Sequence, residues 1–187
     1  SFEDQQDMFA DLILLLAMII ILVYIVMASQ FESFMSPFVI MFSIPFAFVG
    51  VLMGLYVTGT PLGAMGMIGI LILMGIVVKN GIVLIDYTIL MRERGHSVTE
   101  ASTIAANSRL RPILMTTLTT VLGMIPMAVG QGEGSEMWRS LGMVVAWGLS
   151  ISTLVTLVII PTVYASMASW QERRAARKAA KKAAAKA

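Results

Sequence analysis

The chain has 187 residues, of which 58% are hydrophobic and only 13% are charged, whereas soluble domains carry about 25% charged residues. This composition excludes an ordinary soluble globular protein. The chain has no cysteine and a single histidine, His96, so a disulfide framework and a thiolate metal site are excluded, and neither a metal nor a cofactor is expected. No hydrolase triad, phosphate loop or dinucleotide turn is present, so an enzyme is not expected either.

Five stretches with few or no charges reach the length of a membrane-spanning helix, which is about 20 residues for a hydrocarbon core of about 30 Å. We therefore predict an all-α integral membrane protein with five transmembrane helices. The predicted spans are residues 12–28, 37–57, 62–91, 112–129 and 141–168. They divide the chain into an N-terminal segment (1–11), a transmembrane domain (12–170) and a basic tail (171–187).

The second and fourth spans carry residues that affect helix geometry. Gly50 and Gly54 form a GxxxG pair, which favours close contact between helices, although glycine is common in membrane helices generally. Pro45 lies inside the second span and is expected to kink it. Pro112 is expected to open the fourth span in the first turn of a helix, where proline is tolerated.

The third span places a lysine and a carboxylate where the composition otherwise avoids charge. A charge at the centre of a membrane helix costs about 2.5–3.5 kcal/mol, so Lys79 indicates either a functional site or a side chain that snorkels to the interface. The neighbouring Asn80 favours a protein or water environment. Asp86 is seven residues further on. It shares a face with Lys79 but is too far along the axis to neutralise it, so it either lines a proton path or marks the approach to water.

The fourth span begins with Arg109 and continues through a threonine-rich run that includes Thr116. Taken alone, Arg109 is adequately explained as a charge where the helix enters the membrane. The threonine hydroxyls are adequately explained by hydrogen bonds to backbone carbonyls of their own helix. A role in a proton relay is the alternative for both residues.

The basic residues predict the orientation of the chain. Eleven of the thirteen Lys and Arg residues fall on one side of a five-span arrangement, in the loop after the third span and in the tail. The positive-inside rule makes this side cytoplasmic and the N-terminus outward-facing. The tail, residues 171–187, is expected to be mostly disordered, with a helix lying on anionic lipid as the alternative.

Four parts of the sequence resemble, in order, the last helices of resistance–nodulation–division (RND) efflux permeases. They are residues 27–34 with Pro37 and residues 43–45, residues 75–86, residues 108–116, and the last span with Gly142 and Pro161. They are similar to the junction of the eighth and ninth helices, the tenth helix, the start of the eleventh and the twelfth helix. The resemblance extends over residues 12–168, and thus over nearly the whole chain but only the end of a typical permease.

This resemblance implies proton-driven export of small amphiphilic compounds across the bacterial inner membrane. In the family, the lysine at the position of Lys79 pairs with two aspartates on the fourth helix, and residues at the positions of Arg109 and Thr116 complete a proton relay. Asp86 joins the candidate relay because many family members carry an acid at its position. Asn80 joins it because it adjoins Lys79. The implied partners are the N-terminal half of the permease, a homotrimer, a periplasmic adaptor, an outer-membrane channel and membrane lipid. No nucleic-acid partner is expected.

The sequence also departs from the family. No aspartate pair lies within a predicted span, and the two large periplasmic loops of the family are absent. The chain starts with Ser1 and is expected to be a piece of a longer protein or a processed product. We therefore expect it not to transport alone. The alternative function is a non-transporting helical bundle that acts as an assembly or regulatory subunit.

Overall fold

The computed structural model describes residues 2–185, and no strand occurs between them. The helices are α1 (Phe2–Phe31), α2 (Met35–Met41), α3 (Ile44–Thr58), α4 (Ala64–Glu93), α5 (Val98–Val129) and α6 (Ser135–Ala184). With α2 and α3 taken together as one segment, five helical segments in this part of the chain are long and apolar enough to cross a membrane. The predicted all-α fold with five transmembrane helices is therefore confirmed.

Helix α5 begins well before the apolar stretch that predicted it. Ser97 caps its N-terminus: the Ser97 hydroxyl accepts a hydrogen bond from the Glu100 backbone N–H (3.3 Å), and the Glu100 carboxylate accepts one from the Ser97 backbone N–H (3.1 Å). This capping box fixes the start of the helix at Val98. Pro112 consequently lies inside α5, and its predicted place in the first turn was wrong, because hydropathy marks the membrane and not the end of the hydrogen-bonded helix.

The second span is broken rather than kinked at its proline. α2 ends at Met41 and α3 begins at Ile44, with Pro45 in the first turn of α3. Proline is tolerated there because its missing N–H would have no partner within the helix. The buried Ser43 stabilises the break, since its hydroxyl donates to the Ile40 carbonyl oxygen at 2.6 Å.

Helix α6 is the central element of the bundle and packs against α3, α4 and α5. Glycines in α3 and α6 allow the neighbouring helices to approach α6 closely. A Cβ atom added to Gly50 of α3 would lie 2.9 Å from Cβ of Ile151, and one added to Gly142 would lie 2.8 Å from the backbone nitrogen of Ala128 in α5. A Cβ atom added to Gly54 would overlap Trp147. The backbones of α3 and α5 therefore lie almost in contact with that of α6.

Helix α6 continues as a helix into the basic tail as far as Ala184, whereas a mostly disordered tail was expected. The composition explains the difference, because residues 171–185 consist mainly of Ala, Arg and Lys, which are among the best helix formers. Extending an existing helix also avoids the cost of nucleating a new one.

Helix α1 lies at the edge of the bundle and exposes most of its apolar surface. Met27, near its C-terminal end, is 2% exposed and packs into the core. Much of the remaining helix carries large exposed apolar side chains, namely Ile13, Leu14, Leu15, Met18, Ile21, Leu22, Ile25 and Val26. Such a surface requires lipid or further helices around it.

We predict that Gly54→Ala destabilises the bundle, because the new methyl group overlaps Trp147 and forces α3 away from α6. The expected loss is about 1–3 kcal/mol, as in other overpacked cores, measured as a lower unfolding temperature of the detergent-solubilised chain.

The matched control is Gly123→Ala in α5, where an added Cβ meets no described atom within 4 Å. This change should be neutral or stabilising by about 0.5–1 kcal/mol, since alanine favours the helix. Equal unfolding temperatures for the two variants would contradict close α3–α6 packing at Gly54.

Candidate functional site

Helix α4 has one side whose residues remain exposed in the described part of the chain. Its exposed residues recur every three or four positions, as residues on one helical face do. We call this the open face of α4; it consists of Ile68, Ile72, Gly75, Lys79, Asp86 and Leu90. The other side of the helix is packed against the bundle through residues such as Leu73, Val77 and Leu84.

Lys79 lies on the open face and borders a groove of about 350 Å³ between α4 and α1. All other side chains that line the groove are apolar, apart from Gly75, which has no side chain; they are Leu22, Val23, Val26, Met27, Val78, Ile82 and Val83. Within residues 2–185, the Lys79 ammonium forms neither an ion pair nor a hydrogen bond. A cation thus lies beside an apolar groove with no acidic side chain from this part of the chain.

Asp86 and Asn80 occupy different sides of α4. Asp86 is on the open face, seven residues from Lys79, which separates the two along the axis by about 10.5 Å. No ion pair between the two occurs in the described part of the chain. Asn80 is only 6% exposed and belongs to the packed side. The structure therefore places Lys79 and Asp86 on one surface and turns Asn80 away from it.

Arg109 of α5 contacts α4 next to Asp86. Its guanidinium carbon lies 4.7 Å from the centre of the Tyr87 ring, a distance suited to a cation–π interaction. Its Nε atom is buried and has no hydrogen-bond partner among the described residues. Tyr87 was not among the predicted site residues; its position directly after Asp86 is the signal that could have indicated it.

Thr116 is exposed on α5, and its hydroxyl donates to the Pro112 carbonyl oxygen at 2.9 Å. Thr117, the next residue, faces the interior and is hydrogen-bonded to Thr153 of α6 (Oγ1–Oγ1, 3.0 Å). Thr156, one turn further along α6, is 1% exposed and its hydroxyl has no partner among residues 2–185. The two α6 threonines were missed, because the sequence does not show which residues of a threonine-rich run face another helix.

The arrangement provides two charged groups on one surface and a polar contact between α5 and α6 behind it. Lys79 supplies a cation and Asp86 an acceptor on the open face, while Arg109 reaches the same turn of α4 from α5. No group of three or more His, Cys, Asp or Glu side chains in residues 2–185 is placed to hold a metal ion. The chemistry that these residues support is charge pairing and proton transfer within a membrane.

The five long apolar helical segments define a multi-pass membrane protein. Residues 1–168 match the AcrB/AcrD/AcrF family, and the chain belongs to this family of RND efflux permeases. The resemblance found in the sequence motifs is thereby confirmed.

Individual relatives agree with this assignment. The chain is 44% identical over 172 residues to the swarming motility protein SwrC of Bacillus subtilis, covering 91% of this chain and 16% of that protein. It is 38% identical over 179 residues to the multidrug resistance protein MdtC of Proteus mirabilis, covering 93% of this chain and 17% of that protein. The crystal structure of a heavy-metal efflux pump is similar with a TM-score of 0.81 and 33% identity, covering 90% of this chain and 17% of that one. The chain thus spans about one-sixth of the length of these relatives.

We predict that Thr117→Val and Thr153→Val each destabilise the chain by about 1–2 kcal/mol, because each leaves the other hydroxyl buried without a partner. The double variant removes both hydroxyls and should be nearly as stable as the original chain. The measurement is a double-mutant cycle on unfolding temperature in detergent.

Thr162→Val is the matched control, because the Thr162 hydroxyl is exposed and donates only to the Val158 carbonyl within α6. Its effect should stay within about 0.5 kcal/mol. Strictly additive losses in the Thr117 and Thr153 variants would show that the two hydroxyls are not coupled.

Proposed function

We propose that this chain is the part of a proton-driven RND efflux permease that supplies the basic side of the proton relay. The observation that carries the proposal is the position of Lys79: a lysine on the open face of α4, beside an apolar groove, without an acidic partner in residues 2–185. Asp86, Arg109 and Thr116 are the further relay residues in this proposal. Asn80, which is buried on the other side of α4, would act by fixing the rotation of the helix.

The position of Lys79 near the middle of α4 supports a functional role over snorkelling. Lys79 lies fifteen residues from Ala64 and fourteen from Glu93, so about 22 Å and 21 Å of helix extend on either side of it. If α4 is centred in the bilayer, Lys79 lies near the middle of a core whose half-thickness is about 15 Å. Its side chain is too short to bring the ammonium from there to the headgroups.

A cation in this position favours carboxylates on a helix that covers the open face of α4. The family resemblance supports carboxylates on the fourth helix of the complete permease as these partners. Pairing stabilises both charges in the low-dielectric interior, and protonation of a carboxylate removes its charge and weakens its hold on Lys79. One proton therefore switches the contact between α4 and the covering helix, which couples proton entry to helix movement.

The remaining parts of the proposal concern the complete transporter. We infer that it works as a trimer in the bacterial inner membrane with a periplasmic adaptor and an outer-membrane channel, with the N-terminus of this chain in the periplasm and its C-terminus in the cytoplasm. Small amphiphilic compounds are the proposed substrates. The identity to the multidrug resistance protein of Proteus mirabilis, 38% over 179 residues, exceeds that to the cobalt-zinc-cadmium resistance protein CzcA of Cupriavidus metallidurans, 34% over 164 residues.

We predict that Lys79→Ala in the complete permease lowers export by at least about tenfold while leaving membrane insertion unchanged. Loss of the cation removes the group that the carboxylates bind when unprotonated, so a proton no longer switches the contact. The measurement is efflux of a fluorescent amphiphile from cells, normalised to the amount of permease in the membrane.

Arg94→Ala is the matched control, because Arg94 is an exposed cation just beyond the end of α4. It should leave export unchanged. Normal export by Lys79→Ala would contradict the relay and leave the non-transporting helical bundle as the better account of this chain.

A further inference from the structure

The part of α6 beyond Trp170 is a basic helix that touches little of the bundle. We call residues 171–184 the α6 extension. All of them are exposed, and six are basic, in the order Arg173, Arg174, Arg177, Lys178, Lys181 and Lys182. The three arginines thus come first, nearest the apolar part of α6, and the three lysines follow.

The basic residues lie on one half of the helix. At 100° per residue, positions 173, 174, 177, 178, 181 and 182 cover about half of the circumference, and alanines at 175, 176, 179, 180 and 183 occupy the other half. A helix that lies flat on a membrane usually buries large apolar residues such as Leu, Phe or Trp on one face. Alanine offers little area for this purpose, so the composition does not favour a flat orientation.

Two contacts fix the first turn of the α6 extension along the axis of the membrane helix. The guanidinium carbon of Arg174 lies 3.7 Å from the centre of the Trp170 ring, and the Glu172 carboxylate forms an ion pair with Arg92 at the end of α4 (2.6 Å). Tryptophan is enriched at membrane interfaces, so Trp170 marks the level at which α6 leaves the hydrocarbon core. The α6 extension continues outward from this level without a break in the helix.

We propose that the α6 extension binds the headgroups of anionic phospholipids in the leaflet where α6 ends, standing upright on the membrane. Arg173 lies three residues beyond Trp170 and Lys182 twelve, which corresponds to about 4.5 Å and 18 Å along the axis. The headgroup layer is about 5–7 Å thick on each side, and the Debye length outside it is about 8 Å. The arginines therefore lie in or close to the headgroup layer, whereas the last two lysines lie about one Debye length or more outside it, where the attraction is much weaker.

The geometry of helical side chains supports this arrangement. In an α-helix the Cα–Cβ bonds tilt toward the N-terminus, so the long side chains of the α6 extension point back toward the membrane. A guanidinium group binds phosphate oxygens through two parallel hydrogen bonds, whereas an ammonium group acts as a point charge. The residues that suit phosphate best are the ones that the helix holds nearest to it. This binding goes beyond export and does not depend on the proton relay.

The test compares two variants that each remove two positive charges, R173Q/R174Q and K181Q/K182Q. The full chain is reconstituted in phosphatidylcholine bilayers that contain phosphatidylglycerol. The preference for spin-labelled phosphatidylglycerol over spin-labelled phosphatidylcholine is measured from the motionally restricted fraction of each lipid. Because one cation near an anionic surface changes affinity by about fivefold, the loss of two cations in R173Q/R174Q should lower the preference by at least about fivefold and by up to about 25-fold. K181Q/K182Q should lower it by less than about twofold, since those charges are screened.

The conservative variant R173K/R174K keeps both charges and should retain most of the preference. Equal losses in the two glutamine variants would overturn the upright orientation, and an unchanged preference in R173Q/R174Q would overturn the lipid site. Binding of the α6 extension to a soluble polyanion such as RNA, with no effect of either variant on lipid preference, would also contradict the proposal.

A second measurement leaves the basic residues unchanged. Because the chain has no cysteine, A176C and A183C place single spin labels on the alanine half of the α6 extension. In an upright helix the label at 183 should collide more often with a water-soluble nickel relaxant than the label at 176. Equal collision rates at the two positions would overturn the upright orientation independently of any charge change.

Discussion

The structure is organised around a lysine ammonium placed on an uncovered side of a helix of membrane-spanning length. A charge in hydrocarbon is stable only with an opposite charge, with water or at the interface, and Lys79 has no acidic neighbour in residues 2–185. This constraint gives α4 its two sides. One side packs into the bundle through apolar residues and the buried Asn80, and the other holds Lys79 and Asp86 facing outward.

The proposed relay depends on helix movement and therefore requires the helices behind it to move as a unit. Helix α6 provides this support, because glycines bring its backbone close to α3 and α5. The hydrogen bond between Thr117 and Thr153 adds a polar contact at a defined rotation of α5. That rotation leaves Thr116 exposed and directs Arg109 to the Tyr87 ring of α4. Packing within the bundle thus determines which polar groups of α5 are exposed and which contact α4.

The chain uses cations in two different environments. Lys79 lies beside an apolar groove, where an electrostatic interaction is strong but is limited to a partner that fits closely. The basic residues of the α6 extension are exposed to solvent, where each interaction is weak and screened, and where several must add together. Salt should therefore affect the second kind of interaction much more than the first.

The sequence by itself determined the helical membrane fold, the family and the position of a charge inside a span, because these follow from hydropathy, length and local motifs. Hydropathy did not determine where helices end: the capping box at Ser97 and the helix-forming tail, both local sequence signals, extend α5 and α6 beyond their apolar stretches. Hydropathy also could not show that Thr116 and Lys79 are exposed while their neighbours Thr117 and Asn80 are buried. Adjacent residues differ by 100° around a helix, and hydropathy does not fix the rotation of the helix. Only the packing of α4 and α5 against α6 decided that rotation, because it depends on the shapes of side chains that are distant in the sequence.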